Sequence, residues 1–150
     1  MIRRATQQDV DAIVKMGERF YATTSYADWA PFCAESSAEL VRMVVDTGIL
    51  LVAERPVQLI GMVGAIIAPF VFNRKILAAH EVFWWMEPEA RGGTEAWRLL
   101  QALEREADGA GCSALQMMAL HSSPPQAGAL YERCGYSLTE KSYTKILRSS

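Results

Sequence analysis

Cysteine is scarce, no long apolar run is uninterrupted, and neither sign of charge dominates; each lack removes a class of protein. The three cysteines, Cys33, Cys112 and Cys134, are an odd number without paired spacing. A disulfide framework is therefore not expected, and reduced thiols used in packing are. With His80 and His121 they form no Cys-x-x-Cys or His-x-x-x-His pair, which argues against a zinc site or any other metal. The longest apolar run, Val57 to Phe72, is broken by Gln58, Gly61, Gly64 and Pro69 and is too short to cross a bilayer. Met1-Ile2-Arg3-Arg4 leads straight into structured sequence without the apolar core of a signal peptide, so the expected location is cytoplasmic, away from membranes. A formal charge of −2 gives no general pull toward nucleic acid. Any anion site must be local. Missing too are Gly-x-Ser-x-Gly, a Gly-Lys-Ser/Thr phosphate loop and a Rossmann glycine triplet, which takes the usual support from hydrolase, NTPase and dehydrogenase readings.

What is present is ordinary globular composition, 51% apolar and 21% charged over 150 residues, with no repeat or linker. One domain spanning residues 1–150 is expected. Ile2 to Ala5 reads as a short strand, and Thr6 with Asp9 as a helix start. Val10, Ile13, Val14, Gly17, Phe20 and Tyr21 share a helical face. Thr23 to Phe32 reads as an aromatic-rich loop, and Ser36 with Glu39 as the start of a second helix ending at Gly48. Ile49 to Ala53 and Leu59 to Ala68 suit a hairpin, with Gly61 and Gly64 marking a bulge or a close backbone approach. A third strand holds Val82 to Met86 and stops at Pro88. A helix runs from Thr94 to about Asp108, followed by a strand from Ala114 to Met118. Pro124-Pro125 opens a last helix with Gly135 at its C′ position, and Tyr136 to Leu138 and Tyr143 to Leu147 read as two closing strands. Three strands between the second and third helices give an α/β sandwich, a mixed, twisted sheet covered by helices on both faces.

The strand, turn and helix from Glu81 to Leu100 organise the rest. Gly92 and Gly93 remove two side chains where the first-turn N–H groups of a helix are unpaired, a place that attracts phosphate. Met86-Glu87-Pro88 followed by Arg91-Gly92-Gly93-Thr94-Glu95-Ala96 resembles the acetyl-CoA motif of the GNAT-type N-acetyltransferases, Gln/Arg-x-x-Gly-x-Gly/Ala behind an apolar-x-Pro strand end. Thr94 stands where that family has its central glycine. Ala127-Gly128-Ala129-Leu130-Tyr131-Glu132-Arg133-Cys134-Gly135-Tyr136 resembles the family's Ala-x-x-Leu-Tyr-x-x-x-Gly-Phe block, with Pro124 in place of the usual asparagine. The resemblance implies a GNAT-like α/β/α sandwich whose sheet splays beside the cofactor helix, with acetyl-CoA as co-substrate and an amine of a small molecule or peptide as acceptor.

Acetyl transfer to an amine needs a held thioester, donors for the oxyanion, a base and an acid. The pyrophosphate would sit on the N–H groups from Arg91 to Ala96, through Gly92, Gly93, Thr94 and Glu95, with the Arg91 side chain as a further contact. Backbone groups of Trp84, Trp85 and Met86 would pair with the pantetheine amides, while the two indoles are either core or one of them lines the acceptor pocket. By resemblance Tyr131 is the general acid. Glu81 and His80 are candidate bases on consecutive strand positions, so at most one points at the site; a water chain is the third option. Tyr21, Tyr26, Trp29 and Phe32 either form an acceptor pocket or pin their loop to the core. The competing function is a non-catalytic acyl-CoA-binding or interaction module on the same fold, and a longer acyl donor is also open. Edge pairing of the two closing strands would give a homodimer.

Overall fold

Ile2–Arg4 forms β1 at the start of the computed structural model, which describes residues 1–148. The Asp9 carboxylate then accepts from the Thr6 N–H at 2.8 Å and so sets the 3-10 turn that leads into α1, Val10–Tyr21. Val10, Ile13 and Met16 fall on one face of α1 and are buried. The second helix, α2, spans Ala34–Thr47 and buries Val41 and Val44. It starts earlier than the Ser36 signature predicts. Cys33 is its cap, the Sγ accepting from the Ser36 N–H at 3.5 Å and from the Ser36 hydroxyl at 3.2 Å. Cys33 is thus an exposed capping residue and not a packing residue.

Three strands follow, as the sequence leads one to expect: β2, Ile49–Arg55; β3, Gln58–Phe70; and β4, Asn73–Met86. Then come α3, Glu95–Gly109; β5, Cys112–Gln116; and α4, Gln126–Arg133. The sheet order is β1-β2-β3-β4-β5, antiparallel throughout except for the parallel pair β4/β5. Strand alternation splits the interior in two. Ile49, Leu51 and Ala53 pack with Leu99, Leu103 and Ala107 of α3, whereas Leu50 and Val52 pack with Ile13, Met16 and Val44 of α1 and α2. Each fully buried leucine or isoleucine stabilises the fold by about 1.5–3 kcal/mol, which is what holds helices on both faces.

In the middle of β4 the alternation is re-phased. Gly64 pairs with Phe83 but Ala65 pairs with Glu81, so Val82 is the extra residue of a β-bulge. Before it Ala79 faces the α3 side; after it Phe83 and Trp85 face α1 and α2. Glycine is required opposite. A Cβ on Gly64 would lie 2.8 Å from the Phe83 ring, and one on Gly61 would collide with the Met86 thioether.

The expected closing strands are a correction. Among the described residues, Tyr136 to Leu138 and Tyr143 to Leu147 form no strand, with Leu138 79% and Tyr143 91% exposed. The polar run Thr139-Glu140-Lys141-Ser142 separates their few apolar side chains, of which Tyr136 packs on Tyr131 while Leu138, Tyr143 and Leu147 stay exposed, so burial does not offset the ordering of the backbone. A dimer built on those two strands therefore loses its premise.

Candidate active site

β4 and β5 are paired only from Leu77 opposite Cys112 to His80 opposite Gln116. Beyond that register β5 ends while β4 continues to Met86, so the strands part and main-chain groups of β4 on that edge have no strand partner. The sheet is splayed there. A cavity of about 850 Å³ occupies the gap and is lined on β4 by the whole run from Glu81 to Met86. On one side it meets α1, the following loop and α2, through residues such as Val14, Phe20, Tyr21 and Phe32. The far side is formed by Arg91 to Gly93, Ala96, Trp97, Met118 and Tyr131.

Of the residues singled out in the sequence, Glu81, Trp84, Trp85, Met86, Arg91, Gly92, Gly93, Ala96 and Tyr131 line this cavity, whereas His80, Thr94 and Glu95 do not. His80 lies on the paired part of β4, its Nδ1 2.9 Å from Gln116 Oε1. Glu81, 7% exposed, turns into the gap and accepts from the Met118 N–H at 2.8 Å. Burial pushes its carboxyl up to about 7, opposed by that one hydrogen bond. The other face of the same residue holds the phenol: Tyr131 donates to the Met118 carbonyl at 2.9 Å. At 8% exposure, and with the Glu81 charge near, the Tyr131 phenol is held well above its ordinary value and stays protonated at neutral pH.

Local sequence explains why Tyr131 is so well placed. Gly135 has φ +89 and ends α4, with Tyr136 N–H bonded to Tyr131 O at 3.0 Å and Gly135 N–H to Glu132 O at 3.1 Å. This is a Schellman motif, and it brings Tyr136 against Tyr131. Trp84 closes the other side, with ring centroids 5.6 Å apart in both pairs. Trp85 packs on Phe20 at 5.4 Å and carries the Arg91 guanidinium 4.5 Å above its ring. Both indole N–H groups are buried without a hydrogen-bond partner among the described residues, at a cost of about 1–3 kcal/mol each. Arg91 Nε also donates to the Met86 carbonyl at 3.1 Å, so its side chain folds back on the end of β4. Tyr21 both lines the cavity and pins the aromatic loop. Its ring lies beside Phe32, and its hydroxyl donates to Ala30 O at 2.5 Å and Tyr26 O at 3.1 Å.

A splayed β4/β5 pair, a glycine turn into α3 and a buried tyrosine on α4 form one combination, and the family model of the acetyltransferase (GNAT) family matches residues 15–136. The chain belongs to the GNAT acetyltransferase family. Solved structures of the GNAT fold are similar along nearly its whole length. A predicted acetyltransferase with acetyl-CoA from Clostridium acetobutylicum has a TM-score of 0.76 at 18% identity, over 98% of this chain and 96% of that one. Ribosomal-protein-alanine N-acetyltransferase from Brucella melitensis biovar Abortus 2308 has a TM-score of 0.73 at 17% identity, over 98% and 99%. Glucosamine-6-phosphate N-acetyltransferase from Arabidopsis thaliana has 0.74 at 14% identity, over 98% and 97%. No curated protein matches the sequence. Among the described residues there is no cluster of metal-binding side chains, and no helix is long and apolar enough to cross a membrane.

GNAT acetyltransferases use acetyl-CoA, and the residues here fit it with one adjustment. Gly92, at φ +87 with open space around it, leaves the turn bare, and Thr94 makes no capping hydrogen bond to the first turn of α3. The Glu95 carboxylate takes that place instead. A Cβ on Gly93 would collide with it, its own backbone N–H holds it below the usual carboxylate range, and Arg55 lies 3.5 Å away. A pyrophosphate on these N–H groups has to displace this carboxylate. Sequence reading missed Met118 and Trp97. Met118 acts through its backbone, which leaves no side-chain signature, whereas Trp97, 42% exposed, stands off the apolar stripe of α3 and could have been found there.

Proposed function

We propose that this GNAT acetyltransferase moves the acetyl group of acetyl-CoA to the primary amine of a small molecule or peptide by direct attack in a ternary complex. The observation that carries the reading is the Met118 main chain, which holds Glu81 by its N–H and Tyr131 by its carbonyl at the point where β4 and β5 part. One acid and one base thereby face the same gap.

The amine nitrogen attacks the thioester carbonyl carbon and gives up a proton to the Glu81 carboxylate, whose elevated affinity for protons suits a base working near neutral pH. Unpaired N–H groups of β4 between Trp84 and Met86 supply donors for the charge that develops on the carbonyl oxygen. As the carbon–sulfur bond breaks, the Tyr131 phenol protonates the leaving thiolate. One proton passing through solvent from Glu81 back to Tyr131 resets both groups, so amine and thioester become amide and thiol. His80, bonded to Gln116 outside the cavity, has no part in this scheme. Arg91 holds the end of β4, and Gly92, Gly93 and Ala96 leave room for the pyrophosphate.

The test is amine-dependent release of free thiol from acetyl-CoA, with the acetylated amine identified by mass spectrometry. Direct attack gives intersecting initial-rate lines when both substrates are varied. Parallel lines, or a stable acetylated protein, would rule out the ternary complex.

A further inference from the structure

The acceptor side of the cavity is apolar and almost without charge, and this narrows the amine that fits. From Ile13 to Val41 the lining contains no Asp, Glu, Lys, Arg or His among the described residues. Its surfaces are Val14, Phe20, Tyr21, Phe32 and Val41, with Phe83 from the re-phased part of β4 opposite them. Among the described residues the charged side chains of the whole cavity are Glu81, Arg91 and Arg133, with Glu81 the lone acid. Arg91 is engaged by the Met86 carbonyl and the Trp85 face. The Tyr21 hydroxyl and the Thr24 hydroxyl are also engaged, the latter donating to Tyr21 O at 2.8 Å. Thr23 is bonded to Phe20 O at 2.7 Å, and with Tyr26 and Ser37 it completes the hydroxyls of this wall, so its polar groups are few and uncharged.

We infer that the acceptor is a monoamine carrying a compact aromatic or branched apolar body, presented with its nitrogen at Glu81. This rests on the reading of the site as an amine acetyltransferase. Polyamines and aminoglycosides bring further ammonium groups, and each would leave water with no carboxylate to meet it. A sugar phosphate brings an anion and several hydroxyls to a wall with no free cation between Ile13 and Val41. An aryl-alkyl amine does the reverse. Its ring fills space that Phe20, Phe32 and Phe83 define, its lone nitrogen meets the lone acid, and the amine is more readily deprotonated once its ammonium form is desolvated. The step is unchanged: nitrogen–carbon bond formed, carbon–sulfur bond broken, amine proton to Glu81, thiol proton from Tyr131.

The experiment compares kcat/KM for 2-phenylethylamine, benzylamine, methylamine, spermidine, kanamycin, glucosamine 6-phosphate and a short peptide with N-terminal alanine, using acetyl-CoA as donor. 2-Phenylethylamine should lead the polar acceptors, and removing one methylene to give benzylamine should change kcat/KM by about 10-fold or more. Phe32→Asp should abolish most of the advantage of 2-phenylethylamine over methylamine while leaving the acetyl-CoA dissociation constant in place, which shows that the variant is folded. Faster turnover of spermidine, kanamycin, the sugar phosphate or the peptide, with thiol release intact, overturns the acceptor class and leaves acetyl transfer standing. If no amine supports thiol release, acetyl transfer fails as a separate matter, and calorimetry of 2-phenylethylamine on the CoA-loaded chain decides the inference: binding that Phe32→Asp removes supports it, and no binding overturns it.

Discussion

Replacing Glu81 by glutamine keeps the acceptor for the Met118 N–H and the volume of the side chain, and removes only the ability to ionise. The wild-type carboxyl is buried, and its pKa is raised from the ordinary 4.5 to about 7. At 1.36 kcal/mol for each pKa unit, ionising it in the fold costs about 3 kcal/mol more than in the unfolded chain. Below pH 4.5 both states are protonated and the group has no effect. Between 4.5 and about 7 the folded chain holds the proton that the unfolded chain has released, so stability falls as pH rises, and above about 7 the full loss is present. Glu81→Gln should therefore be indistinguishable from wild type at pH 4 and more stable by about 3 kcal/mol at pH 8. For a chain of this size that is a rise of roughly 6–12 °C in melting temperature at pH 8. Parallel melts of the two proteins from pH 4 to 8 isolate this group, since the other titrations are shared. The same ionisation should appear in turnover, which rises with pH through about 7 in wild type and loses that limb, with most of its rate, in the variant. A melting difference independent of pH would refute the burial argument. A retained acidic limb at near-full rate would refute the assignment of Glu81 as base, and His80→Gln is then the matched test.

Tyr131→Phe removes one oxygen and leaves the rings of Trp84 and Tyr136 in contact, so turnover should fall by about 10²–10⁴-fold with little change in the acetyl-CoA dissociation constant, and a thioester with a more acidic thiol should recover part of the loss; near-full activity on a good acceptor makes Tyr131 a packing residue. Glu95→Gln removes the negative charge that competes with the pyrophosphate for the start of α3. Acetyl-CoA should bind a few-fold more tightly, more so at low ionic strength, and calorimetry showing weaker binding would reverse that assignment. Acetyl-CoA at a hundred times its dissociation constant should stabilise the fold by about 2.7 kcal/mol, read as a thermal shift. Leu103→Ala opens a void between α3 and the sheet and should cost about 2.7–5 kcal/mol in urea unfolding without altering acceptor preference; a cost below 1 kcal/mol would mean that α3 is not held by this packing.

The features legible in the sequence were those written in side-chain type and spacing. Pro88 ended the central strand region, Gly92 and Gly93 marked the turn, the leucines of α3 gave its face, and Gly135 gave the end of α4. The gap itself, and the places of Glu81 and Tyr131 beside it, were implied by the resemblance to the GNAT family and not by spacing. What stayed hidden was written in the backbone. Gly64 signals a bulge or a close approach on β3, but the residue it re-phases, Val82 on β4, is an ordinary strand residue, so the move of Phe83 and Trp85 to the α1 and α2 face carries no mark of its own. Cys33 caps α2 with a sulfur that no capping preference ranks highly. The C-terminal residues look strand-like by type, but a strand needs a neighbour and a covering face, and residue type reports neither.

The main chain at Met118 gives the site a polarity. Its N–H, on the peptide shared with Met117, meets the group that carries negative charge, and its carbonyl, on the peptide shared with Ala119, meets the group that carries a proton, so a donor on one side and an acceptor on the other favour a carboxylate at Glu81 together with a phenol at Tyr131 and disfavour the exchanged arrangement. Each hydrogen bond sits on its own peptide plane, so turning one plane over would break one and spare the other. Acid and base are thus distinguished by the direction in which the chain runs past them, and the side chain at 118 is free to vary. Proline is the exception: without an N–H it would release the carboxylate while the carbonyl still held the phenol.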